Sequence, residues 1–182
     1  MLTVTSDSTT DRILDAAYEE LLHFGLKGIS IEDIAKRTGV ARITIYRRFA
    51  NKDDVLIAVA LREGQRLFEK VDAGIDSNKS TADQLVDGFA VMLNAVRNHP
   101  IVKRIMDAEP DVATSLLTTH GATVIAFGRD FVAARLAIPK PVAEVMVRLS
   151  ASFVLSPASA IPLKTNADAK RFAQTYLVPM LP

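Results

Sequence analysis

Between Lys36 and Lys52 the chain carries six basic residues, Lys36, Arg37, Arg42, Arg47, Arg48 and Lys52, and no acidic one. Elsewhere charge is balanced: 22 Lys and Arg against 21 Asp and Glu leave a formal net charge of +1 over 182 residues. A local cationic stretch on a nearly neutral chain suits one anionic partner, or else forms a solvated basic face. Guanidinium groups bind phosphate oxygens or pair bidentately with the O6/N7 edge of guanine. Tyr and Thr hydroxyls donate to phosphate oxygens, and an aliphatic side chain can touch the methyl of thymine. Arg42, Ile43, Thr44, Tyr46 and Arg47 supply all of these groups within residues 42–47.

Other chemistry is poorly supplied. There is no cysteine, which excludes disulfides and thiolate metal sites and is compatible with a reducing cytoplasm, the expected location. His23, His99 and His120 are scattered, with no carboxylate or cysteine at ligand spacing, so no metal or other cofactor is expected. His23 fits a helix end or the surface, and His120 a satisfied buried polar position. Neither a nucleophile elbow, a phosphate loop, a paired His-Glu zinc helix nor a catalytic carboxylate pair is present, and no enzyme is expected. The N-terminus MLTVTSDSTTDR has neither the basic start nor the apolar core of a signal peptide. The uncharged runs Val112–Gly128 and Leu149–Leu163 are broken by His120, Pro157, Pro162 and several hydroxyl residues. They read as buried helices, not membrane spans.

The elements that must position the basic stretch are helical. Ser8 to Gly25 places Ile13, Leu14, Ala17, Leu21 and Phe24 on one stripe, with Ser8 and Asp11 resembling a capping box. Ser30 can cap a second helix through Thr38, with Asp33 near its positive end and Gly39 free to turn left-handed. A third helix spans Ala41–Phe49. At about 100° per residue, Ala41, Ile45 and Phe49 face a core, Arg42, Ile43, Tyr46 and Arg47 project on the other side, and Thr44 and Arg48 flank. Asn51 caps a longer helix reaching about Val71, whose N-terminus, near Lys52, also favours a phosphate. Helix, glycine turn and short helix make a helix-turn-helix: Ala35 is small where helices cross, and Val40 and Ile45 share the core between them.

Beyond it, periodicity predicts helices over Thr81–Asn98, Ile101–Ala108, Asp111–Leu136 (perturbed near Gly121), Val142–Ser156 and Ala167–Met180. No alternating strand pattern and no internal repeat is present, so the fold class is all-α, with about nine helices.

The run ISIEDIAKRTGVARITIYRRFANKDDVL resembles the DNA-binding region of TetR/AcrR-family regulators. The matching features are Ile34-Ala35, Gly39-Val40, Thr44-Ile45-Tyr46, Phe49, Lys52 and Asp53-Asp54, with Ala16-Ala17 and Phe24-Gly25 fitting the family's first helix. Ile43 departs from the pattern, at a position that is often small, and the basic N-terminal arm of many members is missing.

The resemblance implies a helix-turn-helix domain over 8–50 and a ligand-binding and dimerisation domain over 51–182. It implies contacts to a palindromic double-stranded operator by Arg42, Ile43, Thr44, Tyr46, Arg47, Arg48 and Lys52. It also implies a homodimer through the last two helices, for which Val142, Val145, Leu149 and Phe153 form a candidate stripe; the same stripe could pack inside its own subunit. A small, mainly apolar effector is expected, with Phe89, Met92, Val96, Met106, Leu117, His120 and Phe127 as candidate wall residues that would serve equally as core. The expected function is a sequence-specific transcriptional regulator, a repressor released from DNA by its effector. The alternative is a non-specific DNA-binding or protein-interaction protein on the same scaffold.

Overall fold

A computed structural model describes residues 7–109, 111, 121–155 and 159–182. Among them are nine α-helices and no strand. None of these helices is long and apolar enough to cross a membrane.

Helix α1 (Ser8–Gly28) is capped one residue earlier than expected, by Asp7, whose carboxylate accepts from the Thr10 amide at 2.7 Å. Both Asp7 and Ser8 can cap; Asp7 also meets Arg48, which favours it. Gly25, with φ 72°, breaks the helix where a stop is expected, and residues to Gly28 form a further turn. Helix α2 (Ile31–Thr38) starts at Ser30, whose hydroxyl accepts from the Asp33 amide, and ends at left-handed Gly39. Helix α3 (Arg42–Tyr46) is shorter than the predicted Ala41–Phe49. Its N-cap Ala41 is extended and exposed, contrary to its expected core position, and the chain past Arg47 continues only as a turn. Helix α4 (Lys52–Ala73) begins at Asn51, which accepts from the Asp54 amide at 2.9 Å.

These elements close over one core containing Ile13, Leu14, Ala17, Leu21, Ile34, Ile45, Phe49, Val55 and Val59. The core therefore reaches well into α4. A second core surrounds α5 (Thr81–Asn98), which packs on α4, on α6 (Pro100–Ala108), on α8 (Lys140–Leu155) and on α9 (Asn166–Phe172). Helix α7 (Ala122–Leu136) forms the most extensive helix pair with α8. The predicted Asp111–Leu136 helix is observed from Ala122; most of its earlier part lies outside the described residues. A Cβ on Gly128 would lie 3.1 Å from Val147, so the α7–α8 crossing is close.

The expected single helix Ala167–Met180 divides. Helix α9 is followed by a π-helical turn, Ala173–Leu177, and a 3-10 turn, Val178–Met180. Pro179 has no amide to donate and its ring crowds the preceding turn, which cannot continue as a regular helix. Asp87 of α5 accepts from Lys170 of α9 and from Lys79, both at 2.7 Å, and these two hydrogen bonds hold its carboxyl below the ordinary range.

Two seams run along α1. Arg62 of α4 reaches Asp15 of α1 at 2.8 Å. At the other seam α6 lies on α1, and its C-cap residue Glu109 is buried against the Gly25 break. A Cβ at position 25 would fall 1.8 Å from Glu109 Oε1, and Glu109 Oε2 has no hydrogen-bond partner among the described residues.

Candidate nucleic-acid interface

The interface is built from its underside. Ile45 is completely buried and Phe49 nearly so, which anchors α3 on α1, α2 and the first turns of α4. With that side fixed, the opposite side projects into solvent. Ile43 is 68% exposed and Tyr46 50%, while Arg42 and Arg47 are also exposed and Thr44 is intermediate. The structure thus brings Arg42, Ile43, Tyr46 and Arg47 onto one surface, with Thr44 at its margin.

The six basic residues of the stretch divide into two groups. Three brace the fold. Arg37 donates from Nε to Glu20 at 2.6 Å, and Glu20 is buried within the α1 stripe. Arg48 donates to Asp7 at 2.8 Å and to Thr10 at 3.2 Å, which ties the residue following α3 to the start of α1. Lys52 lies 3.5 Å from the Leu26 carbonyl, bridging the start of α4 to the end of α1. Arg48, expected at the nucleic acid, is therefore engaged within the fold, whereas Lys52 makes a single contact at the limit of hydrogen-bond distance.

The other three lie at the surface. Lys36 is 3.5 Å from Glu32 and 3.9 Å from Asp33. Arg42 is 3.8 Å from Glu32, a loose exposed pair that water and salt weaken. Arg47 has no side-chain hydrogen bond or ion pair among the described residues, although its backbone amide donates to Ile43 O at 3.0 Å. It is the basic residue of α3 and its C-cap whose donors are uncommitted.

Electrostatics support this division. The Thr10 amide, followed by the Arg48 guanidinium, holds the Asp7 carboxyl down to about 2, so the clasp on Arg48 is ionised at neutral pH. Arg12 adds a hydrogen bond from Nη2 to the Thr38 carbonyl at 2.5 Å, joining α1 to the end of α2 just before the turn. Local spacing revealed none of these braces. Asp7, Thr10, Arg12 and Glu20 are distant in sequence from the groups they hold, and the one local signal was Glu20, a charge beside the apolar stripe.

The other predicted residues are more dispersed. Phe89 lies in the second core and stacks on Phe172 at 5.3 Å; Phe127 lies against Phe68 at 4.9 Å. Met92, Val96 and Met106 are half-buried, while Leu117 and His120 lie outside the described residues. Two open clefts of roughly 450–470 Å³ have other walls: Glu63, Arg66 and His99 in one, Arg129, Glu144 and Arg148 in the other. In the candidate dimer stripe, Phe153 meets Phe172 edge-on at 5.0 Å, and Val142 and Leu149 pack partly on the second core. Val145 is 51% exposed, and Val124 of α7 is 49% exposed. Phe172, Ala173 and Leu177, in the last predicted interface helix, are buried within the subunit.

Residues 13–59 match the family described as bacterial regulatory proteins, tetR family. The HTH-type transcriptional regulator AlkX of Mycobacterium tuberculosis is 29% identical over 162 residues, covering 82% of this chain and 76% of that protein. Among solved structures, the TetR-family repressor AlkX from Dietzia sp., implicated in biodegradation of n-alkanes, superposes with a TM-score of 0.72 at 20% identity, covering 95% of each chain. The R. erythropolis transcriptional repressor QsdR gives a TM-score of 0.70 at 18% identity, covering 97% of this chain and 95% of that one.

Proposed function

We infer that this chain, a helix-turn-helix transcriptional regulator of the TetR family, acts in the cytoplasm as a homodimeric repressor that places α3 in the major groove of a palindromic operator. The observation carrying this proposal is the exposed face of Arg42, Ile43, Tyr46 and Arg47 above the buried Ile45. Arg47 and Ile43 face bases, and Arg42, Thr44 and Tyr46 serve the backbone and groove edge. Arg48 holds the helix at its angle. Regulation by binding, not substrate turnover, is the activity.

Two reading heads on a palindrome must stand about 34–36 Å apart, or a multiple of that. We place the dimer face on the outer side of the α7–α8 pair, around Val124 and Val145, where apolar side chains remain in water. The proposed effector is small and mainly apolar and enters between α4, α5, α6 and α7, near Met92, Val96, Met106 and Phe127. The involvement of the Dietzia repressor in n-alkane biodegradation makes hydrocarbon-derived compounds the first to test. Such a compound releases DNA only by preferring one head spacing over the other.

The decisive experiment is selection of bound sequences from random DNA, followed by titration of the best one against salt. The expected result is a palindromic consensus, with log K falling by about 0.9 per phosphate neutralised for each unit of log salt. Equal affinity for the best sequence and for random DNA would refute sequence-specific regulation and favour the non-specific alternative.

A further inference from the structure

Among the described residues Ile43 is the most exposed large apolar one, at 68%. Val145, by contrast, lies on the α7–α8 pair among side chains of both signs, Arg129, Lys140, Glu144 and Arg148. Ile43 stands on a five-residue helix among Arg42, Tyr46 and Arg47, a surface too cationic and too narrow for an apolar protein partner. Phosphate contact gives no use for a saturated hydrocarbon side chain, whereas a base methyl does.

The backbone fixes what stands beside it. The Arg47 amide donates to the Ile43 carbonyl at 3.0 Å, so the two residues are one helical turn apart. Side chains at i and i+4 start about 5–6 Å apart on the same face. Base pairs rise about 3.4 Å, so the two side chains span one to two base-pair steps. The Arg47 guanidinium has no partner among the described residues, and the commonest major-groove partner of an unpaired guanidinium is the O6/N7 edge of guanine.

Resting on the assignment of α3 to the major groove, we propose that Ile43 is a specificity residue that reads the C5 methyl group of a thymine, one or two base pairs from a guanine read by Arg47, in each operator half-site. The ligand feature is a methyl at pyrimidine C5, which 5-methylcytosine also carries.

The test uses the intact protein and the operator selected from random DNA, with each thymine replaced in turn by uracil, which removes the methyl and leaves the pairing edge unchanged. One thymine per half-site, within two base pairs of a guanine, is expected to respond. Burial of one methyl is worth about fourfold in affinity, so replacement in both half-sites lowers it about fifteenfold. Ile43→Ala removes the discrimination, binding thymine and uracil operators equally, and Ile43→Val retains part of it. Cytosine at that position is expected to bind more weakly than 5-methylcytosine in the wild type, and equally in Ile43→Ala. Because Ile43 is largely in solvent, all variants should keep the wild-type circular dichroism and melting temperature. A sequence-selective wild type indifferent to uracil at every thymine would overturn the inference while leaving the regulator intact. Persistence of the discrimination in a folded Ile43→Ala protein would also overturn it. Absence of any sequence preference would instead remove the major-groove assignment on which it rests.

Discussion

The N-terminal four-helix unit and the helices around α5 solve different packing problems. In the first, one small core rich in Ile, Leu and Val is supplemented by ionic braces, and of the large apolar residues left outside, Phe24, Ile43, Tyr46 and Ile57, the two on α3, Ile43 and Tyr46, sit beside cations. In the second, aromatic rings do much of the joining: Phe68 stacks on Phe131 at 4.0 Å, and Phe172 touches Phe89, Phe153 and Tyr176. There the large apolar residues left outside are Val124, Val145 and Tyr176, and Val145 lies on a long helix among charges of both signs, Arg129, Lys140, Glu144 and Arg148. An exposed apolar side chain among cations fits a polar polymer with embedded methyls, and an exposed apolar pair on two long helices fits a second protein surface.

Variants can separate the two regions. The largest expected effect is from Ile45→Ala, which empties a fully buried site beneath α3 and should cost about 3 kcal/mol of stability, measured by urea unfolding, together with operator binding. If stability is kept, α3 is not anchored as described. In the second region, Phe153→Ala should cost about 2 kcal/mol because the ring is half-buried against Phe172, without dissociating the dimer. Val145→Asp should do the reverse: sedimentation should find monomers that remain folded. A dimeric Val145→Asp protein would move the interface elsewhere.

Within the basic stretch, Arg47→Ala should weaken operator binding by about 1–3 kcal/mol with no change in melting temperature. Arg48→Ala should lower the melting temperature and reduce affinity for all sequences alike. Unchanged operator affinity in Arg47→Ala would remove it from the reading surface. The smallest effect concerns the clasp. Asp7 has its carboxyl lowered from 3.8 to about 2, so its contribution is complete above the ordinary aspartate value and disappears as pH falls through the folded one. Asp7→Asn should lack that part of the acid-dependent loss, seen as a shallower fall of melting temperature between about pH 4 and 2.

The parts legible in the sequence are those governed by short spacing. Ser30, Asn51 and Gly39 announce helix ends because a cap acts over three residues and a left-handed turn needs its glycine. The outward face of α3 follows from the same periodicity, even though the helix itself closes early. What stayed hidden depends on distant partners. Arg47 and Arg48 are identical as letters, and only the approach of Asp7 and Thr10, about forty residues away, distinguishes a brace from a free donor. Likewise Val145 and Phe153 belong to one apolar stripe, and only the position of Phe172 turns one inward and leaves the other in water.

The contact of Glu109 with the Gly25 break carries a consequence for motion. A buried carboxyl oxygen with no donor among the described residues costs about 1–3 kcal/mol, which is returned when that surface parts and hydrates. Ile101 of α6 packs on the N-terminal core, so parting α6 from α1 would wet that side chain while hydrating Glu109. A side chain at position 25 is disfavoured first by the backbone, whose φ of 72° L residues rarely adopt, and its Cβ would also displace the Glu109 carboxyl.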